Sequence, residues 1–286
     1  MGTAICKGCG AWVNDQAWRC RSCGRLWPGL FGQRQVLDQV FSKSRSQARV
    51  LLVALVVMYI FELMVSAATH EEGTRSPGFS PNPTYVGEVR SSTLTTSSGS
   101  FAEQFPDITT RAQPWRIVSA MLLHGGVLHI VFNGMSLLTL GLYIEELFGP
   151  ARFWVVFTLT GIVGNLAAMW FSPATVLLGA SGGIFGLLGA MLGFGVRRGG
   201  TWGAEIRRQT LRSLLINAVI SMMPGISMAA HFGGAASGFL MVWLFKMPDG
   251  RGGRESDGAR FVALGCIALL AGCAVTAMVA AVHWHP

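Results

Sequence analysis

The sequence predicts an all-α polytopic membrane protein. The first observation behind that prediction is composition: 51% of the 286 residues are hydrophobic and 13% charged, with a mean hydropathy of +0.47. The second is arrangement, because the apolar residues gather into runs near the ~20 residues that a bilayer crossing needs. The third is the placement of charge. A net charge of +8 in a soluble protein would suggest nucleic acid, but here it follows the spans. With the N-terminus inside, the inner segments hold all 22 Lys and Arg residues except Arg75, Arg90, Arg111 and Arg116. The asymmetry predicts an N-in, C-out topology, and no nucleic-acid partner is expected.

Residues 1–27 read as a small cytoplasmic module, since no apolar core of an export signal precedes the first span. Cys6-Lys7-Gly8-Cys9 and Cys20-Arg21-Ser22-Cys23 are two C-x-x-C knuckles, each followed by glycine. Four thiolates brought together this way suit a structural Zn²⁺ in a zinc ribbon, the metal replacing a core too small to fold alone. Two disulfides, or iron instead of zinc, are the alternatives. With four protein ligands no coordination position is open, so catalysis by the metal is not expected. Residues 28–47 form a juxtamembrane linker or an interfacial helix, with Val36, Leu37, Val40 and Phe41 on one face.

The first span covers Ala48 to Ala68 and is interrupted by Glu62. A carboxylate at depth is disfavoured by about 2.5–3.5 kcal/mol, so the favoured place for Glu62 is the outer interface, with the bundle interior as the alternative. Residues 69–113 are rich in Ser, Thr, Pro and Gly and read as a long outer loop. The second span enters through His124, His129 and Asn133 and ends near Tyr143, before Glu145 and Gly149-Pro150. Further spans are Phe153–Phe171, Leu177–Val196, Ser213–Met223, Ser227–Phe245 and Phe261–Val282. The fifth span, Ser213–Met223, is extended by its flanks; Arg197–Arg212 before it is a cytoplasmic segment, and a cytoplasmic loop from residue 247 precedes the last span.

Ser181 lies in Gly179-Ala180-Ser181-Gly182-Gly183, which fits the G-x-S-x-G elbow of soluble hydrolases, but that elbow needs a preceding strand and a soluble domain, and neither is expected here. A lone serine in a membrane helix ordinarily bonds back to its own turn. Its neighbours change the reading: Gly182, Gly186, Gly189 and Gly193 form a smooth stripe that admits another helix closely. His231, Gly234 and Gly238 form a matching stripe later in the chain. Packing the stripes together would bring His231 within reach of Ser181 as its base. His129 and Asn133 are four apart, hence on one helical face.

These motifs resemble the rhomboid intramembrane serine proteases. The likeness runs from Trp115-Arg116 through His124, His129 and Asn133, then Gly179-Ala180-Ser181-Gly182, to Ala230-His231-x-x-Gly234-x-x-x-Gly238, about Trp115 to Phe245. It implies a six-helix core over residues 48–246 and a Ser181–His231 dyad without an acidic third member. It assigns the oxyanion hole to His129, Asn133 and the Ser181 backbone N–H, and makes His124 a supporting residue. Trp115 and Arg116 read as an anchor of the outer loop, and Glu145 as a helix cap or ion-pair member rather than a catalyst. Phe185, where family members often carry tyrosine, reads as an aromatic wall under the histidine. The ribbon, the loop and the extra C-terminal helix of residues 247–286 lie outside the family pattern.

The expected activity is hydrolysis of peptide bonds in or near transmembrane segments of other membrane proteins. The expected setting is a bacterial inner membrane, with the bilayer and a protein partner of the ribbon as further contacts. The rival is a non-catalytic membrane scaffold or chaperone; a transporter would need paired broken helices or midplane charges, of which the sequence has few.

Overall fold

The computed structural model describes residues 3–6, 9–14, 20–23, 46–68, 89–90, 114–171, 176–222, 226–245 and 256–283. Residues 24–45, which include the linker up to its last two residues, and the outer loop apart from Val89–Arg90 lie outside the described residues. Two units divide the chain, Met1–Arg45 and Ser46–Pro286. In the first, β1 (Thr3–Ile5) pairs antiparallel with β2 (Trp12–Asn14), Ile5 standing opposite Trp12. The chain turns directly after β1, where the amides of Cys9 and Gly10 donate to the Cys6 carbonyl at 3.3 and 2.7 Å.

The second unit is helical. In order it contains α1 (Gln47–Ala68), β3 (Val89–Arg90), α2 (Arg116–Ser119) continuing into a 3₁₀ turn, α3 (Val127–Phe148), α4 (Pro150–Phe171) and β4 (Val176–Leu177). Then come α5 (Ser181–Arg198), α6 (Gly200–Ile220), α7 (Met228–Met241) and α8 (Asp257–His283). By length and apolar composition, α1, α3, α4 and α8 can each cross a bilayer, and Met228–Leu244 is a shorter apolar helix. The centre is a trio of α4, α5 and α7; α3 joins it beside α1, α6 leans on α5, and α8 packs on α4 and α2.

Glycine makes the trio possible. A Cβ at Gly234 would overlap the Gly182 carbonyl oxygen, one at Gly238 the Gly186 oxygen and one at Gly189 the Ala235 oxygen. Backbone therefore rests on backbone between α5 and α7. The stripe read on α5 serves two neighbours: Gly189 and Gly193 face α7, but a Cβ at Gly186 would overlap Thr160 of α4.

Between α3 and α4, Gly149 adopts φ 97° and Pro150 opens α4, where its missing N–H has no helical partner to lose. One turn before that bend, the Glu145 carboxylate caps a different helix. It accepts from the amides of Gln47 and Ala48 at 3.0 and 2.8 Å and from the Ser46 hydroxyl at 3.1 Å. Two orphan donors of α1 are thus satisfied by α3. Glu145→Ala will lower stability by about 1–3 kcal/mol through those unpaired donors, read as an earlier thermal unfolding transition in detergent.

Several boundaries differ from the sequence reading. Helix α5 starts at Ser181 rather than Leu177, and β4 pairs with β3 directly ahead of it, Val176 opposite Arg90. A short strand therefore does precede the Ser181 turn. The fifth span's N-terminal flank carries its helix back through the arginine-rich stretch, so that α6 runs from Gly200 to Ile220. Its charges are accommodated locally: Arg208 pairs with Glu205 at 2.6 Å and Arg207 donates to the Gly195 carbonyl at 2.9 Å. Glu62 is only 4% exposed, turned into the bundle. Its carboxylate oxygens accept the His124 backbone N–H, each at 3.2 Å, and this bond gives the buried carboxyl a partner.

Candidate active site

The site is assembled where α5 begins. Gly179 holds φ +116°, a conformation that side chains rarely adopt, and its N–H donates to the Ala120 carbonyl at 2.8 Å. The turn thereby delivers Ser181 to the first position of α5, where its backbone N–H is among the donors without an intrahelical carbonyl. The Ser181 side chain is half-buried.

His129 and Asn133 project from α3 onto the same turn. A Cβ at Gly179 would lie 2.8 Å from His129 Nε2 and 3.7 Å from Asn133 Nδ2, so glycine there is also required by space. The Gly125 N–H points at His129 Nδ1, 3.4 Å away. With Nδ1 accepting, the ring proton belongs on Nε2, the nitrogen beside Gly179. Asn133 Nδ2 is buried with no hydrogen-bond partner among the described residues. A buried unpaired donor is costly, and here it stands with His129 two residues before Ser181.

His124 is 1% exposed and meets the His129 ring edge-on, centroids 5.1 Å apart. Neither of its ring nitrogens has a partner among the described residues. Arg116 is buried with its guanidinium 5.1 Å from the Trp115 ring centroid.

His231 enters from α7, whose N-terminus is capped by the Ser227 hydroxyl accepting from the Ala230 amide at 3.2 Å. Its ring stacks on Phe185 with centroids 4.0 Å apart and an 11° angle, one turn beyond Ser181 on α5. The His231 ring is hydrogen-bonded to Ser221, Nδ1 and Oγ lying 2.6 Å apart; none among the described bonds joins it to Ser181. Ser221 was not singled out in the sequence, where the available signal was Asn217 and Ser221 four apart at the end of an apolar run. Glu62 is the other polar residue near the site whose place the sequence left open.

In the N-terminal unit, the sulfurs of Cys6, Cys9, Cys20 and Cys23 lie within 4.8 Å of one another. The Cys6–Cys23 and Cys9–Cys20 separations are both 3.7 Å, far beyond the ~2.05 Å of a disulfide. Four thiolates about 2.3 Å from a tetrahedral metal would stand about 3.8 Å apart, so the cluster fits a metal. The Cys23 backbone N–H draws the Cys20 thiol down to about 6, while at Cys9 the pull of the Ala11 N–H is outweighed and the thiol stands at about 12. A metal bound by these sulfurs would take them as thiolates and displace their protons.

Against known proteins, residues 111–248 match the family model described as the Rhomboid domain. The chain is 31% identical over 140 residues to RHOMBOID-like protein 1 of Arabidopsis thaliana, covering 48% of this chain and 36% of that protein. It is 25% identical over 225 residues to the Rhomboid protease GluP of Bacillus subtilis, covering 76% and 38%. A third relative, 32% identical over 132 residues, is named Inactive RHOMBOID-like protein 8 of Arabidopsis thaliana, with 46% and 38% covered. The chain spans less than half the length of each of these relatives. The domain match, the apolar helices and the names of these relatives together support an integral membrane protein of the rhomboid family.

Proposed function

We propose that the chain is an intramembrane serine endopeptidase that cleaves peptide bonds in or near transmembrane segments of other membrane proteins. The observation that carries this reading is the His231 ring stacked on Phe185 at 4.0 Å, one turn from Ser181 on a helix held to α7 by glycine. Ser181 Oγ attacks the peptide carbonyl while His231 accepts its proton. The Ser181 N–H, His129 Nε2–H and Asn133 Nδ2–H receive the oxyanion. His231 then protonates the leaving amine, and water enters by the same route to release the acyl group. In this reading the Ser181–His231 hydrogen bond forms when substrate is bound, as catalytic bonds in unliganded sites often do. The charge distribution supports an orientation with the N-terminus inside, in a bacterial inner membrane on this reading.

The test is reconstitution in liposomes with a reporter carrying one transmembrane segment. Cleavage is the expected result; its absence with every reporter tried would favour the non-catalytic scaffold, a reading that the relative named inactive keeps in view.

For the N-terminal unit we propose a structural zinc held by Cys6, Cys9, Cys20 and Cys23 that ties the two knuckles together, with the unit as a docking module for a protein partner. Purified protein will carry one equivalent of zinc by elemental analysis, and Cys6→Ser will lose it. Retention of full zinc in that variant, or a different metal, would overturn the assignment. If Cys6→Ser loses the metal yet leaves stability, cleavage and partner binding unchanged, the docking role fails.

A further inference from the structure

Ser221 has one proton and two neighbours that compete for it. Its Oγ lies 2.6 Å from the Asn217 carbonyl oxygen and 2.6 Å from His231 Nδ1. A carbonyl oxygen can only accept. The Ser221 proton therefore goes to Asn217, since otherwise two oxygen lone pairs would face each other at that distance with nothing between them. His231 Nδ1 must then be the donor to Ser221. Both side chains are buried, Ser221 at 3% and His231 at 8% exposure, so bulk water does not replace either bond.

We infer that Ser221 is a positioning residue that fixes the His231 imidazole as its Nδ1–H tautomer, leaving the Nε2 lone pair to take the nucleophile's proton. The inference rests on the protease reading and assigns Ser221 no contact with substrate. Phe185, stacked at 4.0 Å, confines the ring to one plane; it does not distinguish one nitrogen from the other. Ser221 makes that distinction, and its own position is secure because its backbone N–H also donates to Asn217 at 2.9 Å. This closes the C-terminus of α6.

The same chain of bonds has an electrostatic role. It runs from Nδ1–H to Ser221 Oγ and on to a carbonyl in the last turn of α6, the negative end of a helix dipole. His231 becomes positive when it takes the Ser181 proton, and that charge is then relayed by hydroxyl to a fixed partial negative charge. A carboxylate in this place would be costly in the apolar interior. A neutral hydroxyl backed by a helix terminus orients the ring without that cost.

The test compares Ser221→Thr with Ser221→Val, two side chains of nearly equal shape that differ by the hydroxyl, in full-length reconstituted protein. The valine variant is expected to lose about 10- to 100-fold in kcat, part of the ~10²–10⁴ that positioned acid–base groups supply, with KM within about twofold. The threonine variant is expected to stay within about threefold of the parent. Equal kcat in the two variants would overturn the inference, because packing alone would then account for the site. Nitrogen-15 NMR of labelled histidine in the parent gives a readout independent of activity, with His231→Ala identifying the resonance. A protonated Nδ1 and unprotonated Nε2 are expected, and the reverse tautomer overturns the inference. If the parent cleaves no reporter, the protease reading fails, while the ring tautomer still decides whether Ser221 orients His231.

Discussion

Ser181→Ala will lower reporter cleavage at least about 10³-fold, equivalent to about 4 kcal/mol of transition-state stabilisation. It will leave the thermal unfolding of the protein in detergent nearly unchanged. The second half of the expectation comes from what Ser181 does not do in the fold. Its side chain is half-buried and no described hydrogen bond uses its hydroxyl, so no partner is stranded when the oxygen is removed. His231→Ala will be equally inactive but also less stable, because it removes a ring stacked on Phe185 and strips the Ser221 hydroxyl of its donor. Residual turnover in Ser181→Ala near the parent rate would sink the nucleophile assignment. Matching inactivity with a collapsed melting transition would mean that the serine is structural instead. Measuring both variants for cleavage and for unfolding separates these outcomes.

How far the site was readable depended on whether its signal was local. The C-x-x-C pairs, the Gly149-Pro150 break and the four-residue spacing of His129 and Asn133 are properties of short segments, and each is visible before folding. Two features are not local in that sense. Glu62 interrupts an apolar run, and insertion cost alone favours the interface; only the fold shows that the loop at His124 offers it a backbone N–H. Ser221 looks like an ordinary hydroxyl ending a span, and α7 must fold back before His231 arrives beside it. How far the fifth span's N-terminal flank runs is not local either: Glu205–Arg208 pairing and the Arg207 bond to Gly195 let the helix carry those charges from Gly200 onward. The start of α5 shifted to Ser181 because the positive φ of Gly179 and the β3–β4 pair end regular structure just before it.

The glycine stripes give the second large effect, and here the structure distinguishes residues that the sequence treats alike. Gly238→Val will abolish cleavage and destabilise the protein by about 1–3 kcal/mol or more, the usual range for forced overpacking. The neighbour is the Gly186 backbone carbonyl, which cannot rotate aside as a side chain would, so α7 must move away from α5. His231 lies seven residues earlier on that helix, roughly 10 Å along its axis, and a displaced α7 carries the ring off Phe185. Gly238→Ala will show the same direction at smaller size, and Gly234→Ala will follow it against the Gly182 carbonyl. Gly182, although part of the same sequence stripe, has its nearest atom at 3.6 Å. Alanine there makes an ordinary contact, and its melting transition will stay close to that of the parent. Gly265 on α8 has nothing within 4 Å, so Gly265→Ala will keep both stability and cleavage and serves as the control for adding a methyl group to a membrane helix. If Gly238→Ala and Gly265→Ala lose activity to the same extent, the effect is one of glycine content in general, and the close α5–α7 seam is not what holds His231 in place.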